Sequence, residues 1–183
     1  MASSLKILLT TSRNPTPRIR TFCNDLSNTI PKIVRVNRGK MSADETAEKA
    51  LELHANRVAI VDRGHGGPAS IKFLQIGESG LVSVPPVLHV SGIRLRREFG
   101  VVKVKPALSL VLSESETSGK MLRLADALSK FFNVPIMSVD EAVKTGATSI
   151  VMLLDKSSRI VMTFMVELEV EVGPRVIVSG VEW

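Results

Sequence analysis

Cysteine and tyrosine are nearly missing from this chain of 183 residues, which has one cysteine and no tyrosine. The single thiol, Cys23, has no partner for an internal disulfide, and this favours a protein of the reducing cytoplasm. Apolar runs such as residues 150–154 and 160–166 are far shorter than the roughly 20 residues that cross a bilayer. No membrane span is therefore expected, and the first residues do not have the regions of a signal peptide.

Aromatic residues make up only 4% of the chain, with six Phe and one Trp. If the protein binds nucleic acid, stacking of bases on aromatic side chains is a poor candidate for the main attraction. Contacts of Arg and Lys with phosphate and sugar are the better hypothesis. The hydrophobic content of 44% favours a folded protein and argues against disorder.

Positive charge is concentrated in the first 40 residues. This segment has eight basic residues and one acid, Asp25, which gives +7, whereas the whole chain carries +6. The other 143 residues have 16 basic and 17 acidic side chains, which gives −1. A local excess of this kind attracts polyanions, of which nucleic acid is the commonest. A solvated basic face without a ligand is the alternative interpretation.

Apolar spacing and capping signals predict a first half with two helices and five strands. Thr16 is placed to cap the first helix. Ser42 and Glu45 form a capping box for the second helix. The pair Pro85-Pro86 places the fifth strand at a sheet edge or at a bulge. The predicted elements are strand 6–12, helix 17–30, strand 32–37, helix 43–55, and strands 57–62, 69–76 and 81–90.

The second half repeats this order. Ser138 and Glu141 form another capping box, and its helix is expected to stop at Gly146. Both halves are thus predicted as β-α-β-α-β-β-β, which gives an α/β (α+β) fold with an internal duplication. The predicted elements are strand 107–112, helix 119–132, an extended piece at 134–137, the capped helix, and strands 149–154, 160–166 and 172–178.

The sequence contains no pattern typical of catalysis or metal binding. Cys23 lies on the apolar stripe of the first helix, so we expect a small core residue rather than a nucleophile. Three scattered histidines and one cysteine match no zinc spacing, and no metal or cofactor is predicted. His54 falls on an apolar helix face, where packing is its expected role. Glu167, Glu169 and Glu171 alternate with apolar residues and are expected on the solvent side of a strand.

One glycine-rich loop, with the sequence GHGGP at residues 64–68, is a candidate phosphate-binding loop. It departs from the P-loop pattern and leads into a strand rather than a helix, so no helix N-terminus faces the ligand. A tight turn is the default interpretation. With Arg63 beside it, a backbone contact to an RNA phosphate stays open, and His65 is the histidine best placed to meet a ligand.

Four segments stand out when they are read together. They are LTTSRNPTPRIRTFCNDL at 9–26, VRVNRGK at 34–40, DRGHGGPASIKF at 62–73 and VEVGPRVIVSG at 170–180. Jointly they resemble the Brix-domain family of ribosome-biogenesis proteins. The likeness is greatest to short archaeal members related to the Imp-type subunit of the U3 small nucleolar ribonucleoprotein.

This resemblance implies a single Brix domain at 1–183, with a basic N-terminal half at 1–92, a basic connector at 93–105 and a nearly neutral C-terminal half at 106–183. Each half is expected to resemble the anticodon-binding domain of class IIa aminoacyl-tRNA synthetases. The family also implies binding to ribosomal RNA or its precursor, without catalysis. Other assembly-factor proteins and guide-RNA ribonucleoproteins are the further partners that it suggests.

Matching the motifs residue by residue gives a predicted RNA-binding set. If the first two strands are parallel neighbours joined by a right-handed crossover, both end at the same sheet edge, and the basic side chains converge there. Arginine then grips phosphate with two hydrogen bonds. Arg175 in the fourth segment is expected to pair with neighbouring carboxylates instead. The predicted set is Ser12, Arg13, Arg18, Arg20, Arg35, Asn37, Arg38, Lys40, Arg63 and Gly67.

The sequence as a whole predicts a non-enzymatic factor that binds ribosomal RNA and assists its processing and the assembly of the subunit. A protein-docking scaffold, whose basic face binds an acidic partner in a ribonucleoprotein, is the alternative. An enzyme acting on phosphates is a second alternative, which the missing metal ligands and general base disfavour.

Overall fold

The computed structural model describes residues 6–100, 109–112, 118–147 and 149–183, and for 109–112 it describes the backbone alone. Its first half has the predicted order of elements, followed by a single 3-10 turn at Arg96–Glu98. The elements are β1 (Lys6–Thr11), α1 (Pro17–Thr29), β2 (Ile33–Arg35), α2 (Ala43–Glu52), β3 (Ala55–Arg63), β4 (Pro68–Gly77) and β5 (Gly80–Arg94).

The second half repeats the order β-α-β-α-β-β-β, so the predicted duplication of elements is confirmed. Residues 107 and 108 of the predicted strand 107–112 lie outside the described part of the chain. The elements are β6 (Ser109–Leu112), α3 (Gly119–Phe132), β7 (Ile136–Ser138), α4 (Val139–Thr145), β8 (Ser149–Lys156), β9 (Arg159–Val166) and β10 (Val170–Glu182).

All ten described strands belong to one sheet with the order β2-β1-β3-β4-β5-β10-β9-β8-β6-β7. Each half contributes five neighbouring strands in matching order, and the halves meet where β5 pairs antiparallel with β10. In the first half β1 lies between β2 and β3 and runs parallel to both. In the second half β6 lies in the same way between β7 and β8. The structure therefore contains two parallel three-stranded ends joined by an antiparallel centre.

The predicted helix caps form. The Thr16 hydroxyl accepts a hydrogen bond from the first turn of α1. Ser42 and Glu45 bond each other's backbone N–H at 2.7 and 3.1 Å, and the box at Ser138 forms in the same way. The α4 helix ends at Gly146, which takes the left-handed conformation at a φ of 64°. Local sequence thus sets where these helices begin and where α4 ends.

Helices cover both faces of the sheet. The α1 and α3 helices pack on one face, where Phe22 and Leu128 belong to a single core that extends across both halves. The α2 helix packs on the other face, with Ala50 against Leu8 and Val58. Because β1 is buried on both faces, its apolar residues run consecutively instead of alternating with polar ones.

Several local predictions need correction. The α2 helix ends at Glu52, because Ala55 already begins β3, so His54 is not on its apolar face. His54 is exposed and has a left-handed φ of 57°. Glu167 and Glu169 lie in the β9–β10 turn rather than on a strand. In both places the sequence pattern continues beyond the residue at which the element ends in the structure. The pattern alone therefore predicts a helix and a strand that are too long.

Other local predictions hold. The Cys23 side chain is fully buried in the α1 core. Arg175 binds the Glu171 carboxylate, as expected for a strand-borne arginine. A bulge lies at Pro85-Pro86, where the register between β4 and β5 shifts, although β5 is a central strand from Val87 onward.

The halves are also joined by side chains across the sheet. Phe73 on β4 lies 4.6 Å from the ring of Phe131 and 5.9 Å from that of Phe132, both on α3. Arg57 on β3 donates hydrogen bonds to the backbone carbonyls of Lys130 at 2.8 Å and Phe131 at 2.5 Å. A cation at the last turn of a helix also interacts favourably with the helix dipole.

We expect Arg57→Ala to lower the free energy of unfolding by about 1–3 kcal/mol, because it leaves two helix-end carbonyls without their donor. Urea denaturation measures this loss. Lys130→Ala is the matched control, since its exposed ion pair with Asp126 should be worth less than about 1 kcal/mol. Equal losses in the two variants would contradict a tie between β3 and α3.

Candidate nucleic-acid interface

Three parallel strands end at one edge of the sheet in the first half. The loops that follow β1, β2 and β3 begin there, and they are fixed to each other by backbone hydrogen bonds. The Ser12 N–H donates to the Val61 carbonyl at 3.0 Å, and the Val36 N–H donates to the Leu9 carbonyl at 2.9 Å. The carboxyl ends of parallel strands are the usual position for ligand sites in such sheets.

A cleft of about 540 Å³ opens between these loops. Four of its lining residues are cationic and none is acidic, so it has a formal charge of +4. We call it the basic cleft. Its lining residues are Thr11, Asn14, Pro15, Arg20, Arg35, Val36, Asn37, Arg38, Gly39 and Lys40.

Arg35 is held in the basic cleft by two asparagines. One guanidinium nitrogen donates to the side-chain carbonyl of Asn24 on α1, and another donates to that of Asn37 at 2.8 Å. A guanidinium has five N–H donors, so the remaining donors are available to an anion. Two fixed contacts orient the group before a ligand arrives, which reduces the entropy lost on binding.

Arg38 lies half-buried in the basic cleft, and its Nε donates to the Met41 carbonyl at 2.8 Å. Partial burial lowers the pKa of Arg38, and the nearby charge of Arg13 lowers it further. Both effects oppose the charged form, which a guanidinium nevertheless keeps. The carboxylates of Asp62 and Glu45 act in the opposite direction, and an anion in the cleft would further relieve the repulsion between the two arginines.

Arg13, Arg20 and Lys40 are exposed at or beside the basic cleft. Within the described part of the chain, no hydrogen bond or ion pair engages their cationic groups. Their charges therefore face solvent, where they attract a polyanion over a distance of about one Debye length, 8–10 Å.

Ser12 and Arg63 have a different position from the cleft residues. The Ser12 hydroxyl accepts a hydrogen bond from the Arg63 backbone N–H at 2.9 Å. The Arg63 guanidinium donates to the Asn14 carbonyl at 3.1 Å. Asn14 has a left-handed φ of 55°, a conformation that Asn adopts more readily than most residues. These contacts join the loops after β1 and β3 and so shape the wall of the cleft.

Arg18 and Gly67 lie outside the basic cleft. They line a separate pocket of about 400 Å³ between the loop 64–69 and residues 90–93 of β5. The Arg18 guanidinium forms an ion pair with Glu98 at 3.2 Å and donates to the Ile93 carbonyl at 3.0 Å. Since protein acceptors already engage this arginine, its contacts are those of a structural residue.

Asn14, Asn24 and Glu98 are the residues that sequence reasoning missed. Asn14 has a weak local signal, because Asn tolerates the left-handed conformation that the loop requires. Asn24 and Glu98 have no local signal in the sequence, because their partners, Arg35 and Arg18, are 11 and 80 positions away.

Chemical groups for catalysis are sparse in the described residues. Burial raises the pKa of the Cys23 thiol to about 12, so the nucleophilic thiolate does not form at neutral pH. No group of three or more His, Cys, Asp or Glu side chains is arranged to hold a metal ion among those described. No described helix has the length and apolarity to cross a membrane.

Comparisons with known proteins converge on one family. No protein-family model matches the chain. The probable Brix domain-containing ribosomal biogenesis protein of Pyrobaculum aerophilum is 30% identical over 181 residues, which covers 96% of this chain and 92% of that protein. The protein of the same name from Methanopyrus kandleri is 29% identical over 178 residues, with 91% and 89% covered.

Two solved structures share the fold. The crystal structure of a probable ribosomal biogenesis protein from Aeropyrum pernix matches with a TM-score of 0.75 and 29% identity, over 95% of both chains. The crystal structure of an archaeal Imp4-like protein matches with a TM-score of 0.68 and 24% identity, over 96% of this chain and 98% of that one. The second match shows a common fold alone.

Proposed function

Since the chain belongs to the family of Brix domain-containing ribosomal biogenesis proteins, and its role lies in ribosome biogenesis, we propose that its basic cleft binds ribosomal RNA or its precursor. In this proposal the protein is a cytoplasmic assembly factor without catalytic activity. It assists processing of the RNA and assembly of the subunit by holding a segment of the RNA backbone. The resemblance of each half to the synthetase anticodon-binding domain, and the domain bounds at 92 and 106, stay predictions.

The observation that carries the proposal is the convergence of four cations in a cleft that no acidic residue lines. Arg35 is oriented by two asparagines, and Arg38 is close to a like charge that an anion would offset. Arginine binds phosphate through paired hydrogen bonds, whereas lysine acts as a point charge. The site therefore fits a chain of phosphates better than a neutral ligand.

Arg38→Ala and Arg13→Ala are each expected to weaken RNA binding by about 5- to 10-fold at physiological salt, because each removes a charge at the cleft. Fluorescence anisotropy of a labelled 30-nucleotide RNA copied from a ribosomal RNA precursor measures the affinity. Lys144→Ala is the matched control: it removes an equal, exposed charge from α4, which packs near the opposite edge of the sheet. Unchanged affinity in both cleft variants would refute this site.

Binding of an acidic protein through the same cleft is the rival function, and salt weakens both modes. Competition separates them. In the proposed function, ribosomal RNA displaces the labelled RNA at far lower concentration than polyglutamate of equal charge. Ultraviolet crosslinking in cells, with sequencing of the attached RNA, should enrich precursor ribosomal RNA and map to residues 13–20 or 35–40. Displacement by polyglutamate at equal concentration, with no enriched RNA, would favour the docking module instead.

A further inference from the structure

A second pocket lies on the nearly neutral half of the chain and shares no lining residue with the basic cleft. It is about 330 Å³ in volume, which is near the lower end of the range for small-molecule sites. The end of β10, the start of α3 and the hairpin between β8 and β9 form its walls. Nothing in the proposed RNA contact at the first half uses this pocket.

Trp183, the only tryptophan of the chain, lines this pocket. Trp183 is 41% exposed, whereas tryptophan is highly buried on average. The guanidinium carbon of Arg123 lies 3.8 Å from the centroid of the indole ring. Arg123 does not line the pocket, whereas Trp183 does, so the cation–π contact lies beside the pocket.

This cation–π contact fixes the orientation of the indole. A ring held in this way is a preorganised platform for a second flat group, because a base that stacks on it orders little further. The guanidinium and a base on the same indole would form a three-layer stack, and single-stranded nucleic acids use such aromatic platforms without much preference for sequence.

The polar groups of the pocket fit a nucleotide. Lys120 supplies a cation at the first turn of α3, and no ion pair engages it within the described residues. Asp155 supplies an acceptor for the amino group of a base, and Ser158 supplies a hydroxyl that can donate and accept. The Ser179 hydroxyl already donates to the His89 carbonyl at 3.3 Å, so it supplies an acceptor. Ile160, Val178 and Val181 line the rest of the pocket, and their apolar surface suits the flat face of a base.

We propose that this pocket binds one nucleotide of a single-stranded RNA, with its base stacked on Trp183 and its phosphate near Lys120. The proposal rests on the proposed function for the identity of the polymer. It adds a contact in residues 106–183, which have 7 basic and 10 acidic side chains and so no excess of positive charge. The protein then holds RNA at two places, by charge at the basic cleft and by stacking at this pocket.

The fluorescence of Trp183 tests the proposal directly, since no other residue contributes tryptophan emission. Adenosine 5′-monophosphate is titrated into the full-length protein, and N-acetyltryptophanamide in a parallel cuvette corrects for absorption by the nucleotide. We expect saturable quenching. The dissociation constant should rise several-fold in Lys120→Ala and for adenosine, which has no phosphate, but stay unchanged in Lys144→Ala. Quenching that does not saturate, or that is equal in Lys120→Ala and the native protein, would overturn the proposal.

Anisotropy of a labelled hexaadenylate completes the test. Trp183→Ala should weaken binding roughly tenfold, and Trp183→Phe should restore most of the loss, because a phenyl ring still stacks. Arg38→Ala should leave the quenching by adenosine monophosphate unchanged, since the basic cleft is a separate site. If Arg38→Ala weakens RNA binding while Trp183 does not respond to nucleotide, the proposed function stands and this inference fails. Quenching that saturates with an apolar peptide but not with nucleotide would assign the pocket to a protein partner and overturn it.

Discussion

Gly173→Ala is expected to lower the free energy of unfolding by about 3 kcal/mol, the largest effect on stability that we predict for a single small substitution. A β-carbon at this position would lie 2.5 and 2.6 Å from two carbons of the Phe99 ring. Gly173 also has a left-handed φ of 63°, which strains any residue that has a β-carbon. Steric overlap and backbone strain therefore add at one site.

Two cation–π contacts oppose a movement of the Phe99 ring away from the new methyl group. The guanidinium of Arg94 lies 4.1 Å from the centroid of its ring, and that of Arg175 lies 5.4 Å away. Arg175 is itself fixed by Glu171, whose carboxylate also accepts a hydrogen bond from Thr163. Partial burial alone would raise the pKa of Glu171, but these hydrogen bonds outweigh it, and the pKa is lowered. The carboxylate therefore remains charged and keeps Arg175 in place at neutral pH.

Urea denaturation of Gly173→Ala and Gly146→Ala separates the two contributions. Gly146 has nearly the same φ, 64°, but no described atom lies within 4 Å of its β-carbon position, so its substitution should cost only about 1 kcal/mol. In a Phe99→Ala background the cost of Gly173→Ala should fall to a similar value, because the ring is gone. If Gly173→Ala and Gly146→Ala destabilise equally in the native background, the overlap with Phe99 is not what limits this position.

Removal of three cations from the basic cleft is expected to produce the largest functional effect. The variant Arg20→Ala, Arg38→Ala, Lys40→Ala should bind RNA about 100-fold more weakly, if each contact contributes about 0.9 kcal/mol. Its affinity should also depend less on salt. The slope of log affinity against log salt should change by about 2, since each lost phosphate contact removes about 0.7 for a single strand.

The matched control removes three exposed charges away from the basic cleft, at Lys130, Lys144 and Arg159 in the second half. Its net charge equals that of the cleft variant, so a long-range effect of total charge would appear equally in both. The proposed site requires that only the cleft variant loses affinity and slope. Circular dichroism should stay unchanged for the cleft variant, because Arg20 and Lys40 are exposed and make no described contact through their charged groups. The unfolding midpoint should fall only slightly, since Arg38 loses one hydrogen bond, to the Met41 carbonyl. Equal losses in the two triple variants would mean that the protein attracts RNA without a defined site.

Much of the local structure is predictable from sequence because its causes are local. Capping boxes at Ser42 and Ser138 satisfy the first backbone donors of α2 and α4 with neighbouring side chains. The apolar stripe of α1 is buried along its length, and this includes Cys23. Errors occur where tertiary pairing ends an element early, as at His54, which lies beyond the end of α2.

The composition of the site was only partly predictable. Matching of motifs selected Arg18 together with Arg20, which is two positions further along the same helix. Residues two positions apart on a helix do not share a face. Arg20 therefore lines the basic cleft, whereas Arg18 points away from it and binds Glu98. The choice between them depends on a carboxylate 80 residues away, for which the sequence has no local signal.

The doubled order of elements, the caps, and the concentration of positive charge in the first 40 residues can be derived from the sequence alone, because each depends on neighbours along the chain. Which cations share a cleft and which arginine binds a carboxylate depends on the three-dimensional fold, since the order and register of the sheet bring distant segments together. The same holds for Trp183. Its contact with Arg123 and its pocket exist because the end of β10 lies beside the start of α3, a neighbourhood that long-range strand pairing creates.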